Sequence, residues 1–390
     1  MGFGTEFSVF FWLAMHLHTR PHKTLYFRND FSVHFMKFIY WFIPLVLFFT
    51  PGSWVWSQNK QSTIEHYSAG NFKLSVYLPP AYDDKKTYKV LYFNDGQTVF
   101  GPYGLNADSS ANELIQKNLI EPLIIVGIHS DQNRTSNYVP YIDASAIQNF
   151  GEYFPNAGKY SKRIIKQVIP FIDKKYKTKP GNGIAGYSFG GLHATWAALN
   201  FPEQFTFSGA LSPSFWVKDF EIFKEGSKAQ TSQLYYFDIG TGEWNYYVPF
   251  LMHSNLPILK NIFYYEEHGA RHHIADWRGN RTRNILLLFA GKTDLAQYTW
   301  ENKLEIIRSA STGKFYLRIN PLITYSNGLI ASISYAATFT ISNPAAGEIN
   351  KDGSFRFIYP KDLNVIVNYN GEEKKMVIKF AEVEKIKSGL

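Results

Sequence analysis

The stretch GIAGYSFGGLHATW, residues 183–196, sets Ser188 between Gly186 and Gly190, with Tyr187 and Phe189 completing a G-x-S-x-G pentapeptide. A serine hydroxyl is too weakly acidic to attack a carbonyl unaided. It needs a neighbouring base to take its proton and a further group to orient that base. The two glycines suit a sharp strand-to-helix turn, where a Cβ on either flank would collide with the adjoining chain. In a chain with 28 glycines the pentapeptide alone is weak evidence, and the competing reading is an idle serine in a tight turn. Its context is stronger: the strand-like NGIAG precedes it and the helix-like GGLHATWAALNF follows.

The base and the acid are expected later in the chain, in the order serine, acid, histidine. Three histidines compete in HGARHHIADWRGN: His268, His272 and His273. His268 and His272, with Glu266 and Glu267 nearby, also have the spacing of a metal pair. Gly269 between them argues against the helix such a pair requires, so no metal is assigned. For the acid, the run LYYFDIGTGEW offers Asp238 inside an apolar strand and Glu243 on the loop beyond it. Catalytic groups collect at the C-terminal edge of such sheets, which favours Glu243. Asp238 remains the alternative, either as the acid or as a buried, satisfied strand carboxylate.

The elements that must position these groups follow a repeating order. YKVLYF and PLIIVGI are near-continuous apolar runs, expected of central strands covered on both faces. FKLSVYLPP alternates, as an antiparallel edge strand with one wet face would. YSKRIIKQVIPFIDKKY has helical spacing, with Pro170 placed to kink or break it. FSGAL, QLYYFDIG and IFYYEE read as further strands, and DWRGNRTRNILLLFAG as a closing helix. Strand and helix in alternation imply an α/β fold, a mostly parallel central sheet covered by helices on both faces. Beyond about Leu295 short β-rich runs such as KFYLRINPLITY, LNVIVNY and KMVIKF take over, and their spacing predicts a small all-β, sandwich-like module. The divisions expected are 1–57, 58–295 and 296–390.

Composition bounds the function. The 390 residues contain no cysteine, which excludes thiolate catalysis and cysteine-bound metal, and 45% are hydrophobic, enough for a large core. The net charge of +8 is spread over short runs such as DDKKTYK, without the basic stripe that nucleic acid binding requires. Met36–Ser57 has the pattern of a secretory signal peptide: Lys37, an apolar core Phe38–Phe49, then Pro51-Gly52 and a cleavage signal before Gln58. The alternative is an uncleaved N-terminal anchor; residues 1–35 carry no usable pattern, and Met36 is a possible true start.

Taken together, VYLPPAY, VLYFNDGQTVF, VGIHSDQNRTSNYVP, GIAGYSFGGLHA, FPEQFTFSGALSPSFW, DIGTGE and HHIADWR, in that order, resemble the esterase D-type branch of the α/β-hydrolases. That branch includes feruloyl and acetyl-xylan esterases, enterochelin-type siderophore esterases and S-formylglutathione hydrolases. The resemblance covers roughly residues 72–291. It implies an α/β-hydrolase fold and a serine esterase acting through an acyl-enzyme on a small-molecule or glycan ester, without a cofactor; secretion is the expectation of the Met36–Ser57 pattern. In the branch the histidine stands five residues before a tryptophan, which with Trp277 gives His272, and the acid stands in a G-T-x-D/E loop, which gives Glu243. The oxyanion hole is implied at the backbone N–H groups of Phe189 and Gln97. Trp216, Trp244 and Tyr187 are candidates to line the substrate. One departure falls in the arginine-containing motif, where Asn137 precedes Tyr138 in place of the usual glutamate. Acyl transfer to an alcohol by the same three groups, and a secreted binding protein without activity, are the alternative functions.

Overall fold

The computed structural model describes residues 61–243, 255, 261–292, 295–308 and 313–389. The proposed signal peptide, Met36–Ser57, and Trp244 lie outside the described residues.

Eight strands form one sheet: β1 (Thr63–Ala69), β2 (Phe72–Leu78), β3 (Lys89–Asn94), β4 (Leu123–Ile128), β5 (Asn182–Tyr187), β6 (Phe205–Leu211), β7 (Leu234–Gly240) and β8 (Ile262–Glu267). Their spatial order is β1-β2-β4-β3-β5-β6-β7-β8. β1 and β2 are antiparallel to their neighbours, and every pair from β4 to β8 is parallel. Val90 and Tyr92 of β3 pack under the helices of residues 157–175 and 189–200. Leu91 and Phe93 face the opposite layer, with Leu114 of the helix Ala107–Gln116 and Ile285 of the helix Asn280–Ala290. Both faces of the strand are therefore apolar, which is why β3 and β4 read as unbroken hydrophobic runs.

Two sequence expectations are corrected. β2 is antiparallel, but it is not the edge. β1 covers its outer side, and all of β2 except Lys73 is buried. Pro170 does not break its helix: a wider π turn over Ile164–Val168 joins the α-helical segments Ala157–Arg163 and Ile169–Lys175. A π turn re-registers the backbone hydrogen bonds where proline cannot donate one.

The C-terminal residues form small antiparallel sheets: β9 (Tyr298–Arg308), β10 (Phe315–Tyr325) and β11 (Ile330–Ser332) in one, β12 (Thr338–Ile341), β15 (Leu363–Tyr369) and β16 (Glu372–Ile378) in another. A hairpin of β13 (Gly347–Ile349) and β14 (Phe355–Phe357) is inserted in the chain between β12 and β15. Ile319 and Ile323 meet Val365 and Val367 in a core of their own, closed by Val383 from a terminal helix, Phe380–Gly389, that the β-rich composition concealed. This part packs on β8. Arg318 of β10 reaches Glu266 (Nη1–Oε2 2.5 Å), and the N–H of Glu266 donates to Ser332 Oγ (3.0 Å). Asn284, on the last helix of the α/β part, exchanges two hydrogen bonds with the backbone of Ile330 (2.9 and 3.2 Å).

Glu305 is buried next to this ion pair and accepts a hydrogen bond from Asn320 Nδ2 (3.0 Å). Burial, and then the charge of Glu266, push its carboxyl up to about 7. The raised value means that the folded state holds a proton that the unfolded chain releases near pH 4.5. Stability from this group is full below about pH 4.5 and is lost as pH rises through about 7. Glu305→Gln is therefore expected to flatten that part of the melting-temperature profile. A mutant retaining the wild-type slope between pH 5 and 8 would place the titrating group elsewhere.

Candidate active site

β5 runs into a reversal at Ser188, whose backbone sits at φ 54°, ψ −125°, before the helix Phe189–Asn200 begins. An L-residue rarely adopts that φ and is held there only by its surroundings. The N–H of Ser188 donates to Leu211 O (3.0 Å), and its carbonyl accepts from Gly191, Leu192 and Ser214 (3.1 Å each). The flanking glycines are required sterically. A Cβ on Gly186 would lie 2.5 Å from the carbonyl of Gly190, and one on Gly190 would press on Asp95 and Asn94. The turn thus lifts the serine side chain above the C-terminal edge of the sheet.

Two loops from the same edge meet it. His272 follows β8, and its Nε2 lies 3.0 Å from Ser188 Oγ. Its Nδ1 lies 2.8 Å from Oε2 of Glu243, on the loop after β7. Trp277 packs edge-on against the imidazole, ring centres 5.1 Å apart. The other oxygen of Glu243 accepts from the N–H of Gly240 (2.8 Å) and from the hydroxyl of Ser212. Ser212 Oγ in turn accepts from Trp277 Nε1 (2.9 Å) and Arg281 Nη2 (2.5 Å). Asp238, the alternative acid, faces this network instead of the histidine. It pairs with Arg281, receives the N–H of Ser212 (2.9 Å) and accepts from Tyr236 Oη (2.9 Å). Burial works against the charge of Arg281, but Asp238 and then Glu243 more than offset it, so the guanidinium stays charged.

His273 caps the turn Ile274–Trp277 by accepting the N–H of Ala275 (3.2 Å), and His268 is exposed on the loop. Neither lies in the hydrogen-bond path to Ser188.

The proposed oxyanion donors sit at the mouths of two turns. Phe189 opens its helix, so its N–H has no intrahelical acceptor. Gln97 lies in the short turn Gly96–Thr98 after β3. Among the described residues, neither N–H donates to a backbone acceptor. The residue before that turn, Asp95, has a left-handed backbone (φ 58°) and is gripped by Arg134 through two 2.7 Å bonds. Its N–H donates to Tyr138 Oη (3.0 Å). Asn94 is tied to His193 Nδ1 (3.0 Å), whose Nε2 meets Ser161 Oγ (2.9 Å). Burial pushes His193 down to about 3, so it is neutral and serves as a fixed bridge.

Tyr187 is stacked on Trp277 (4.4 Å) and bonded to Thr98 Oγ1 (3.0 Å), which locks it in the wall of the site. Trp216 lies against Phe189 (6.1 Å) and is stacked with Phe150 (6.5 Å, 25°). Phe150 is 58% exposed. Sequence reasoning missed Arg134, Ser212, Arg281 and Phe150. Only Arg134 had a signal, its position in the arginine motif. Ser212 and Arg281 lie in segments that were read, one as part of the resemblance and one as the closing helix, but nothing local names their partners, and Phe150 lies in a stretch without a pattern. A hydroxyl, an imidazole and a carboxylate in line can perform nucleophilic acyl transfer.

Sheet order and the turn at β5 are those of an α/β-hydrolase. The family model described as "Putative esterase" matches residues 66–280, more than half of the sequence, and the chain belongs to that family. That region is thereby placed among the carboxylic ester hydrolases. An uncharacterized protein of Bacillus subtilis strain 168, YbbA, is 28% identical over 163 residues, covering 41% of this chain and 63% of the relative. The iron(III) enterobactin esterase of Escherichia coli strain K12 is 28% identical over 142 residues, 32% of this chain and 33% of that protein. The chain thus spans less than two thirds of the length of either relative. An IroE-like serine hydrolase from Shewanella oneidensis of known structure shares 20% identity at a TM-score of 0.49, over 58% of this chain and 80% of the other. Among the described residues, no helix is long and apolar enough to cross a membrane.

Proposed function

We propose that the protein is an exported serine esterase using Ser188, His272 and Glu243. The observation that carries this reading is the continuous path from Ser188 Oγ through His272 to Glu243, with steps of 3.0 and 2.8 Å. In the first half-reaction Ser188 Oγ attacks the ester carbonyl while His272 Nε2 takes its proton. Glu243 holds the ring and stabilises the imidazolium. The N–H groups of Phe189 and Gln97 receive the oxyanion, each typically worth about 3–4 kcal/mol of barrier. The intermediate collapses as His272 protonates the departing alkoxide, leaving Ser188 acylated. Water, deprotonated by His272, then attacks the acyl carbonyl, and the serine regains its proton. No metal or cofactor enters these steps. Export rests on the apolar stretch Phe38–Phe49, with a mature N-terminus near Gln58.

Glu243→Gln is expected to lower kcat by about 10²–10⁴ with the fold intact, since the amide disturbs the tautomer of His272. Asp238→Asn removes a counter-charge from the buried Arg281 and should cost stability, by about 3 kcal/mol or more, and turnover much less. Melting curves and turnover of p-nitrophenyl acetate separate the two, and the reverse pattern would make Asp238 the acid.

For the substrate, the exposed face of Phe150 beside Trp216 and Phe189 supports an ester bearing a planar aromatic group. That group belongs to the feruloyl and catecholate classes more than to the acetyl class. A panel of p-nitrophenyl acetate, methyl ferulate, acetylated xylan and ferric enterobactin tests this choice. An aromatic contact is worth about 0.5–1.5 kcal/mol, so Phe150→Ala should raise KM for methyl ferulate by roughly two- to twelvefold and leave acetylated xylan almost unchanged. Preference for acetylated xylan, indifferent to Phe150, would overturn the aromatic reading.

A further inference from the structure

The turn that carries Gln97 is fixed from two sides. On the inner side Arg134 holds Asp95. On the outer side Gln97 is exposed, yet its side chain is tied at both ends to one residue. Its Nε2 donates to Ser130 Oγ (2.7 Å), and the N–H of Ser130 donates to its Oε1 (3.1 Å). An exposed glutamine ordinarily keeps its rotamer freedom, so a two-point clamp holds the residue against that entropy.

Ser130 is itself well anchored. It stands two residues past the end of β4, and the intervening His129 donates its N–H to Lys73 O (3.0 Å). His129 Nε2 lies 2.8 Å from Ser75 Oγ, which also meets His66 Nδ1 at 3.0 Å. The end of β4 is thereby pinned to β2 and β1. The turn also rests on β4 without clearance: a Cβ on Gly96 would stand 2.2 Å from the carbonyl carbon of Gly127. The carbonyl of the Gly96–Gln97 peptide accepts the N–H of Val99 only at 3.5 Å, a long bond that resists rotation of the plane, and so of the Gln97 N–H, only weakly. The clamp from Ser130 restrains that rotation.

We propose that Ser130 is a positioning residue for the oxyanion hole, aiming the Gln97 N–H through the glutamine side chain without touching substrate. This rests on the reading of Ser188 as nucleophile and of Gln97 as an oxyanion donor. An oxyanion donor acts mainly in the transition state, so its misalignment lowers kcat and leaves KM in place. Because Gln97 and Ser130 act through one clamp, removing either should do the same damage, and removing both should add little.

The test uses p-nitrophenyl acetate and the full chain, comparing Ser130→Ala, Gln97→Ala, the double variant and Ser130→Thr, which keeps the hydroxyl. Expected are a roughly tenfold loss of kcat in Ser130→Ala and in Gln97→Ala at unchanged KM, about the same loss in the double variant, and near-normal turnover in Ser130→Thr. Affinity for a trifluoromethyl ketone, which forms a tetrahedral adduct, should fall in step with kcat, while melting temperature stays put. A kcat within twofold of wild type in Ser130→Ala, a loss confined to KM, or fully multiplicative single-variant effects would overturn the clamp. Labelling of the wild type by a fluorophosphonate distinguishes the two levels of failure. Absence of label on Ser188 sinks the nucleophile reading itself. A labelled Ser188 with an undisturbed Ser130→Ala sinks only the positioning role.

Discussion

Ser188→Ala is expected to lower the turnover of p-nitrophenyl acetate by about four to six orders of magnitude, with the melting curve unchanged or slightly raised. The loss is that large because, in the proposed mechanism, the serine, the histidine and the carboxylate act as a unit: without Oγ no acyl-enzyme would form, and only binding and the proposed oxyanion hole would still assist water. The melting behaviour follows from the backbone. The strained φ of 54° at Ser188 is held by the hydrogen bonds of its N–H and carbonyl, which alanine keeps, so no stabilising contact of note is lost. A variant retaining more than about a tenth of wild-type turnover would overturn the assignment of the nucleophile.

Arg318→Ala is expected to have the largest effect on stability. Arg318 and Glu266 are both buried and paired, and the arginine also donates to Ser334 Oγ (2.7 Å) and to the carbonyl of Asp352 (2.9 Å). Removing one partner leaves a carboxylate in a low-dielectric site beside Glu305. Such losses cost about 3–5 kcal/mol, a large share of the about 5–15 kcal/mol that holds a typical protein folded. Thermal melting and soluble yield should both fall. Arg318→Met combined with Glu266→Gln should recover part of the loss, because the uncompensated charge is gone. An Arg318→Ala protein that melts with the wild type would show that the β-rich C-terminal part contributes little to holding β8. Since β8 leads directly into the loop of His272, a drop in kcat at temperatures well below melting would show that the same anchor reaches the active site.

The central sheet was legible because burial leaves a local mark. A strand covered on both faces must be apolar at every position, as Val90–Phe93 and Leu123–Ile128 are, and no distant residue needs to be known to see it. The terminal helix was not legible. Phe380, Val383 and Ile386 stand three apart, but the run is short, only Val383 is wholly buried, and it follows the β-rich KMVIKF without a break. β2 misled for a related reason. Its alternation of Lys73, Ser75 and Tyr77 imitates a wet face, whereas Ser75 is buried between His66 and His129 and Tyr77 is covered on that same face by Phe100 and Asn112.

By itself the sequence determined the alternation of strand and helix, the serine in its glycine-flanked turn, and the order of serine, acid and histidine along the chain. These are properties of neighbours in sequence, set by backbone sterics and by burial on one face or two. Only the tertiary structure decided which distant groups meet: that Glu243 lies against His272, that Asp238 is turned to Arg281 and Ser212, and that Ser130 grips Gln97. A carboxylate takes its partner from whatever charge and hydrogen-bond donors the fold brings within about 3 Å. Here those donors come from separate loops, gathered only where the strands end together at one edge of the sheet.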